Sequence, residues 1–360
     1  MIQENRGLIL QFRKFIILAI LLTIAGFTFI LSANSNNQGS KTIVTPHLNQ
    51  KILKGKNLLY CSTFQLAWNE LKDKIIKEDI KLQNEPSLVG VLNKKYASKA
   101  DLSENSYVAT AGYGKDNIIN KINMALKSKF GKEAPEVKDK LGSESIIAYA
   151  FLYKNLVFNP TFENLKNPVR FDSAGNVKAF GIDKFEDKHK KIAEQITIPY
   201  YKNSEEFVIK LTPKLSNDEI FLAKIQPKTT LADTLKFAQD KINLFNNDYL
   251  DDGDTLQIPK FDFKIDHSYD ELAGKRLLNK NFNHYVISKA IQNTSFKLNE
   301  KGAILKSEAK IIMLESCIMQ QYKPKRLIFD KPFLIYLKEK QSKNPYLVIW
   351  VDNTELLVRK

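Results

Sequence analysis

The hydrophobic pattern along the chain divides it into segments of different periodicity. Phe15 to Leu31 is seventeen residues without a charge, and Ser32-Ala33 extend it. A span of about 20 apolar residues crosses a bilayer core, so residues 15–33 are expected to form one transmembrane helix. Arg6, Arg13 and Lys14 against Glu4 keep residues 1–14 cytoplasmic and send the rest outward. Cleavage near Ala33-Asn34-Ser35 is the competing reading, in which the chain is secreted. Residues 34–56 are polar, lack apolar periodicity and read as a flexible tether.

From residue 57 to 360 the pattern is that of a folded domain. Leu58, Leu59, Phe64, Leu66, Ala67, Leu71, Ile75 and Ile76 predict a first helix, and Asp116 to Phe130 a second. Ser145 to Phe158 is a near-continuous apolar run, expected as a strand buried on both faces. Ile196–Tyr201, Glu206–Leu211 and Glu219–Ile225 are short, β-rich and divided by turn residues, which predicts a meander. Thr230 to Phe245 returns to helical spacing, with Leu231, Leu235, Ala238 and Ile242 on one side. Strands dominate the last third. The class is α+β, because the strands follow one another too closely for a βαβ repeat.

Charge and motifs change this picture little. The net charge of +15 comes from 49 Lys and only 6 Arg, scattered among acids, which argues against a specific nucleic-acid partner. Cys61 and Cys317, the only cysteines, are expected as buried or free thiols. The four histidines have no metal spacing, so no metal is expected. Gly112-Tyr113-Gly114-Lys115 is followed by Asp116 where a phosphate loop needs Ser or Thr. Asp248, Asp251, Asp252, Gly253 and Asp254 lack the closing glutamate of a calcium loop, since Pro259 stands there; a solvated acidic turn is expected. No motif carries catalytic chemistry or a cofactor, so the chain is not expected to be an enzyme.

In the C-terminal third, Ile258-Pro259-Lys260-Phe261, Ile265 and Tyr269-Asp270-Glu271-Leu272 resemble the "LPKF…I…YDL" signature of the serpin family. Ile287 to Ile291, followed by Phe296 to Gly302, is similar to the strand leading into the reactive-loop hinge. Phe329-Asp330-Lys331-Pro332-Phe333 resembles the "FNRPF" strand after the loop. Tyr346 to Asn353 is similar to the closing strand. Upstream, Tyr149, Asn155 and Val157 replace the family's usual Asn, Gly and Trp, and residues 77–144 are short for its full set of helices. The resemblance implies a trimmed serpin-like domain: a large mixed sheet, a second sheet and N-terminal helices.

It also implies a reactive-loop-like segment at about 303–327. Its hinge would be Gly302, Ala303, Ile304 and Leu305, and its scissile bond Ser316-Cys317, with Lys325 and Arg326 as alternative baits for a trypsin-like protease. The implied partner is a serine or cysteine protease. From Gly302 onward Ala303, Leu305, Ser307, Ala309, Ile311 and Met313 alternate with Ile304, Lys306, Glu308, Lys310 and Ile312, a pattern that permits strand insertion. Bulky Ile304, Leu305 and Lys306 should slow that insertion, which favours weak or no inhibition. A working suicide inhibitor and an anchored scaffold or adhesin remain the alternatives. So does an ordinary hairpin turning at Asn299-Glu300-Lys301-Gly302.

Overall fold

The computed structural model describes residues 40–172, 175–214, 217–242, 247–303 and 324–360. The expected transmembrane helix at 15–33, Ile304, Leu305, Ser316 and Cys317 lie outside the described residues. Among the described residues no helix is long and apolar enough to cross a membrane.

The largest sheet has seven strands, in the spatial order Thr42–Thr45, Asn57–Cys61, Leu347–Val351, Phe333–Glu339, Asp218–Lys224, Glu206–Leu211 and Ile196–Asn203. Only the first pair is parallel. The expected meander forms its far half. Asn57–Cys61, Leu347–Val351 and most of Phe333–Glu339 are buried on both faces. One face packs on the main core, with Phe207, Phe261, Phe329 and Phe333. The other lies beneath the helix Leu231–Lys241, which begins at the expected Thr230, with Leu231, Leu235 and Ala238 buried against Trp350 and Tyr336.

Two expectations near the N-terminus are corrected here. Residues 42–45 are an edge strand paired with Asn57–Tyr60, so the stretch 34–56 is not tether throughout. Asn57 and Asn353 lock this corner. The Asn57 amide donates to Asn353 Oδ1 at 2.9 Å, and that of Asn353 to the carbonyls of Lys41 at 3.2 Å and Gly55 at 3.0 Å. Leu58 and Leu59 belong to a fully buried central strand, and the helix begins only at Thr63, running to Glu70 and continuing as a π-type turn to Ile76. A run in which successive residues are all buried suits a central strand, whereas a helix of this kind exposes one side.

A second set of strands is divided. Phe261–Ser268 pairs antiparallel with Ile291–Asn299, and Tyr107–Tyr113 with Ile146–Leu152. The expected single strand Ser145–Phe158 is therefore two, Ile146–Leu152 and Leu156–Val157, parted by Lys154. Nor is it buried on both faces: every residue of Ile146–Leu152 is only half-buried. One face packs under the helix Ile118–Phe130 through Ile147, Tyr149 and Phe151, but one edge has no strand neighbour among the described residues. A further four-stranded sheet joins Arg326–Ile328, Thr255–Pro259, Ala179–Ile182 and Glu163–Asn164. The expected large mixed sheet is thus divided, and the expected second sheet is the larger.

Candidate functional site

The two divided hairpins meet at one place. Asn299, Glu300 and Lys301 turn the chain, and Gly302–Ala303 forms a two-residue strand paired on both sides. Asn299 faces Gly302 and Leu298 faces Ala303 on one side. Val157 faces Gly302 and Leu156 faces Ala303 on the other. Both pairings are antiparallel, so Ile291–Asn299 and Leu156–Val157 run the same way with the hinge between them.

Gly302 is held by more than pairing. Its φ is +133°, and a Cβ there would come 2.1 Å from the Leu156 carbonyl oxygen. Only glycine fits this close approach without strain. Lys301 and Glu300 offer carbonyls to the amides of Phe158 at 3.0 Å and Phe162 at 2.9 Å. Lys260 donates to Glu300. Burial pushes the Glu300 carboxyl up, but the ammonium and the backbone hold it below the ordinary carboxylate value. The expected turn at Asn299–Gly302 is present, as is the Ala303–Leu298 pair.

Beyond Ala303 the two sides are not joined by any described strand. Among the described residues Ile291–Lys297 pairs only with Phe261–Ser268, and Ile146–Leu152 only with Tyr107–Tyr113, so each has one edge with no ladder to a described strand. Both stand over the same helix, Thr63–Glu70, which contacts Ile146–Leu152 and Ile291–Asn299 alike. Under this gap Gln292 is buried; its amide donates to the Cys61 carbonyl at 3.0 Å and to Thr63 Oγ1 at 2.9 Å, and Tyr269 OH donates to its Oε1 at 2.5 Å. Burial raises the Cys61 thiol, which is inert there; Cys317 lies outside the described residues.

A charged group flanks the mouth. Lys154, at the break between Leu152 and Leu156, reaches Asp218 Oδ1 and Glu339 Oε1, both at 2.5 Å. All three side chains are less than a tenth exposed. Ser103 completes the Glu339 carboxylate with its N–H at 2.7 Å and its hydroxyl at 2.5 Å. This cluster ties the divided strands to the seven-stranded sheet. The only sequence signal for it was one lysine inside an apolar run.

The alternative baits are poorly placed. Lys325 is buried: its amide donates to Asp254 Oδ1, and its ammonium reaches Asp248 Oδ2 at 3.1 Å and the Tyr249 carbonyl at 3.2 Å. Arg326 opens a strand paired in parallel with Thr255–Gln257. A protease cannot reach a bond held this way without unravelling it. Of the acidic turn, Asp248, Asp251 and Asp252 are exposed as expected, and Asp254 alone is fully buried.

No protein-family model matches the chain, and no curated protein matches it. Solved structures do. Serpin48 of the insect Tenebrio molitor is 14% identical, with a TM-score of 0.44 over 82% of this chain and 92% of that one. A serpin of the trematode Schistosoma haematobium is 13% identical, with a TM-score of 0.49 over 83% and 94%. Human thyroxine-binding globulin is 10% identical, with a TM-score of 0.46 over 83% and 92%. Two of these three neighbours are named as serpins; this chain is itself a mixture of helices and several sheets.

Proposed function

We propose that this chain is an extracytoplasmic, membrane-anchored protein of the protease-inhibitor type, whose segment at about 303–327 serves as a reactive loop with weak or no inhibitory activity. The observation that carries this reading is Gly302–Ala303, a strand already begun between two others that, among the described residues, have no strand partner on the facing edges beyond it. A chain cut after the segment could extend that strand into the gap. Alternation in the sequence supports the step, since Leu305, Ala309, Ile311 and Met313 share one side. Ile304, Leu305 and Lys306 should make entry slow, which favours a substrate or binding role over trapping. The apolar run 15–33 supports the anchor.

The test is the melting temperature before and after one cut between Glu315 and Lys323. Insertion would bury large side chains worth roughly 1.5–3 kcal/mol each before the ordering cost, so nicked protein should melt higher. Leu305→Lys should abolish the gain and leave uncut protein nearly unchanged. A nick that leaves melting unaltered removes the mechanism. An SDS-stable complex with any member of a protease panel would instead establish a working inhibitor. For the anchor, the full chain should sediment with membranes and be digested only from the outer side; recovery in the soluble cytoplasmic fraction would overturn it.

A further inference from the structure

The corner where the edge strand Thr42–Thr45 turns back to Asn57–Cys61 carries a basic loop, residues 51–56, reading KILKGK. Leu53 keeps 49% of its surface exposed there. A lone exposed leucine is ordinary, so what counts is how this one is held and what surrounds it. The Lys56 amide donates to the Leu53 carbonyl at 3.1 Å, closing a turn through Gly55 at φ +79°. The Gly55 amide donates to Asp352, and its carbonyl accepts from the Asn353 side-chain amide at 3.0 Å. On the other side the Ile52 amide donates to the Thr229 carbonyl at 3.0 Å. Tied at both ends, the turn presents Leu53 at the surface with its backbone already ordered.

The charge around the turn is mostly of one sign. Lys41, Lys51, Lys54 and Lys228 are exposed, and Lys56 is half-buried. The Asn353 amide joins the carbonyls of Lys41 and Gly55, and Lys51 bridges Thr230, which gathers these lysines on one rim. The carboxylates nearby are engaged within the domain: Asp352 by the Gly55 amide, Glu355 by the Lys41 amide at 3.0 Å and Asp233 by the Thr230 hydroxyl at 2.7 Å. Lys41 is also only eight residues on from Ala33, a reach of at most about 30 Å. A chain anchored by residues 15–33 therefore keeps this rim within reach of the bilayer. A leucine among lysines suits the headgroup boundary, where the apolar side chain enters the acyl edge and the ammoniums meet phosphates. A soluble polyanion would use the lysines and leave Leu53 in water. We propose that the loop 51–56 docks the domain onto a bilayer surface rich in anionic headgroups, with Leu53 inserted and Lys51 and Lys54 on the phosphates, an inference that rests on the membrane-anchored reading.

The experiment reconstitutes the full chain into vesicles of phosphatidylcholine, or of an equal mixture with phosphatidylglycerol. A nitroxide side chain, apolar like the leucine it replaces, is attached at Leu53→Cys in a Cys317→Ser background, Cys61 being buried. A second label at Met124→Cys, exposed on the helix over the divided region, is the control. Collisions with oxygen, which concentrates among acyl chains, are compared with collisions with a water-soluble nickel chelate. On the mixed vesicles the label at 53 should gain oxygen and lose nickel contact, while the label at 124 stays aqueous. Lys51→Glu with Lys54→Glu should return the label at 53 to water, since each lysine shifts the docked population about fivefold. High salt should act in the same direction. Retention of the chain on both kinds of vesicle through a high-salt wash tests the anchor separately. Docking is overturned, and the anchor kept, if the retained chain holds the label at 53 in water on mixed vesicles. It is also overturned if the label enters neutral vesicles equally, or if the double reversal leaves it inserted. Heparin that slows the label while the mixed bilayer leaves it aqueous would assign the rim to a soluble polyanion, against the proposal. Loss of the chain from both vesicles in the wash would overturn the anchor, and the docking with it.

Discussion

Two apolar strands of equal length show what separates the two halves of this molecule. Phe333–Glu339 reads FLIYLKE and Ile146–Leu152 reads IIAYAFL. The second is the more apolar, yet only the first is buried almost throughout. Phe333–Glu339 has a ladder on each side, Asp218–Lys224 and Leu347–Val351. Among the described residues Ile146–Leu152 has a ladder on one side alone. Composition makes a strand, but pairing on both edges decides whether it is interior. The divided region thus holds apolar side chains at a half-open edge, a costly arrangement unless that edge has a later partner.

The largest effect should come from the charge cluster that bolts the two regions together. Lys154→Met leaves Asp218 and Glu339 without their shared cation at a site less than a tenth exposed. Removing one partner of such a group costs about 3–5 kcal/mol, which urea unfolding would read directly. The exposed cross-strand pair Lys297–Asp262, at 2.6 Å, is the control; Lys297→Met should cost at most ~1 kcal/mol. The cluster also predicts a pH dependence. Burial pushes the Glu339 carboxyl up, but Lys154 and Ser103 together outweigh it and leave the group below its ordinary value. A group depressed on folding contributes stability that is present above the unfolded carboxylate pKa of about 4.3 and lost as pH falls through the folded value. The parent should therefore lose stability on acidification below about pH 4–5, and Lys154→Met should lose less over the same window. Equal acid sensitivity in the two would remove Lys154 as the cause.

The local elements of both regions are legible in the sequence, and what is not legible shares a cause. The meander from Ile196 to Ile225 and the helix after Thr230 were readable because their pattern is local: alternation in one, capping and periodicity in the other. The turn at Asn299–Gly302 was readable from its residue types. The reading failed where partners are distant in sequence. Thr42–Thr45 was taken as tether because its partner Asn57–Tyr60 lies beyond a polar loop. The burial of Lys325 is not legible in the sequence, because nothing local shows that Asp248 and Asp254 fold over it. The gap between Ile146–Leu152 and Ile291–Lys297 is not legible either, since an apolar run such as Ser145–Phe158 does not show which strands flank it.

A smaller effect should sharpen the contrast at the strand pairing that joins the divided halves. Gly302→Val places a branched side chain at φ +133°, with its Cβ against the Leu156 carbonyl oxygen. Backbone strain of that kind costs about 1–3 kcal/mol, and Leu156–Val157 must also move. Hydrogen exchange should show the difference in location. The amides of Phe158 and Phe162, which donate to Lys301 and Glu300, should lose protection. Those of Ile335 and Ile349 in the seven-stranded sheet should keep theirs relative to global stability. Loss of protection spread evenly over both regions would mean that the hinge is not a local junction.

The smallest effect concerns the helices that cover the two regions. Leu231–Lys241, over the seven-stranded sheet, starts at Thr230, whose hydroxyl oxygen accepts from the Asp233 amide at 3.1 Å. Ile118–Phe130, over the divided region, starts at Asn117, which is left-handed at φ 55° and makes no side-chain cap. The two caps should respond in opposite directions. Thr230→Ala removes an acceptor for an otherwise unpaired helix amide and should cost about 1 kcal/mol. Asn117→Gly removes no cap and relieves a left-handed residue of its Cβ, so it should stabilise by at most a few tenths of a kcal/mol. Paired urea titrations with a common slope can resolve the two signs. If Asn117→Gly proved as destabilising as Thr230→Ala, the Asn117 side chain would be holding the helix in a way its geometry does not show. The contrast between a capped cover and an uncapped one would then fail, while the difference in strand pairing beneath would stand.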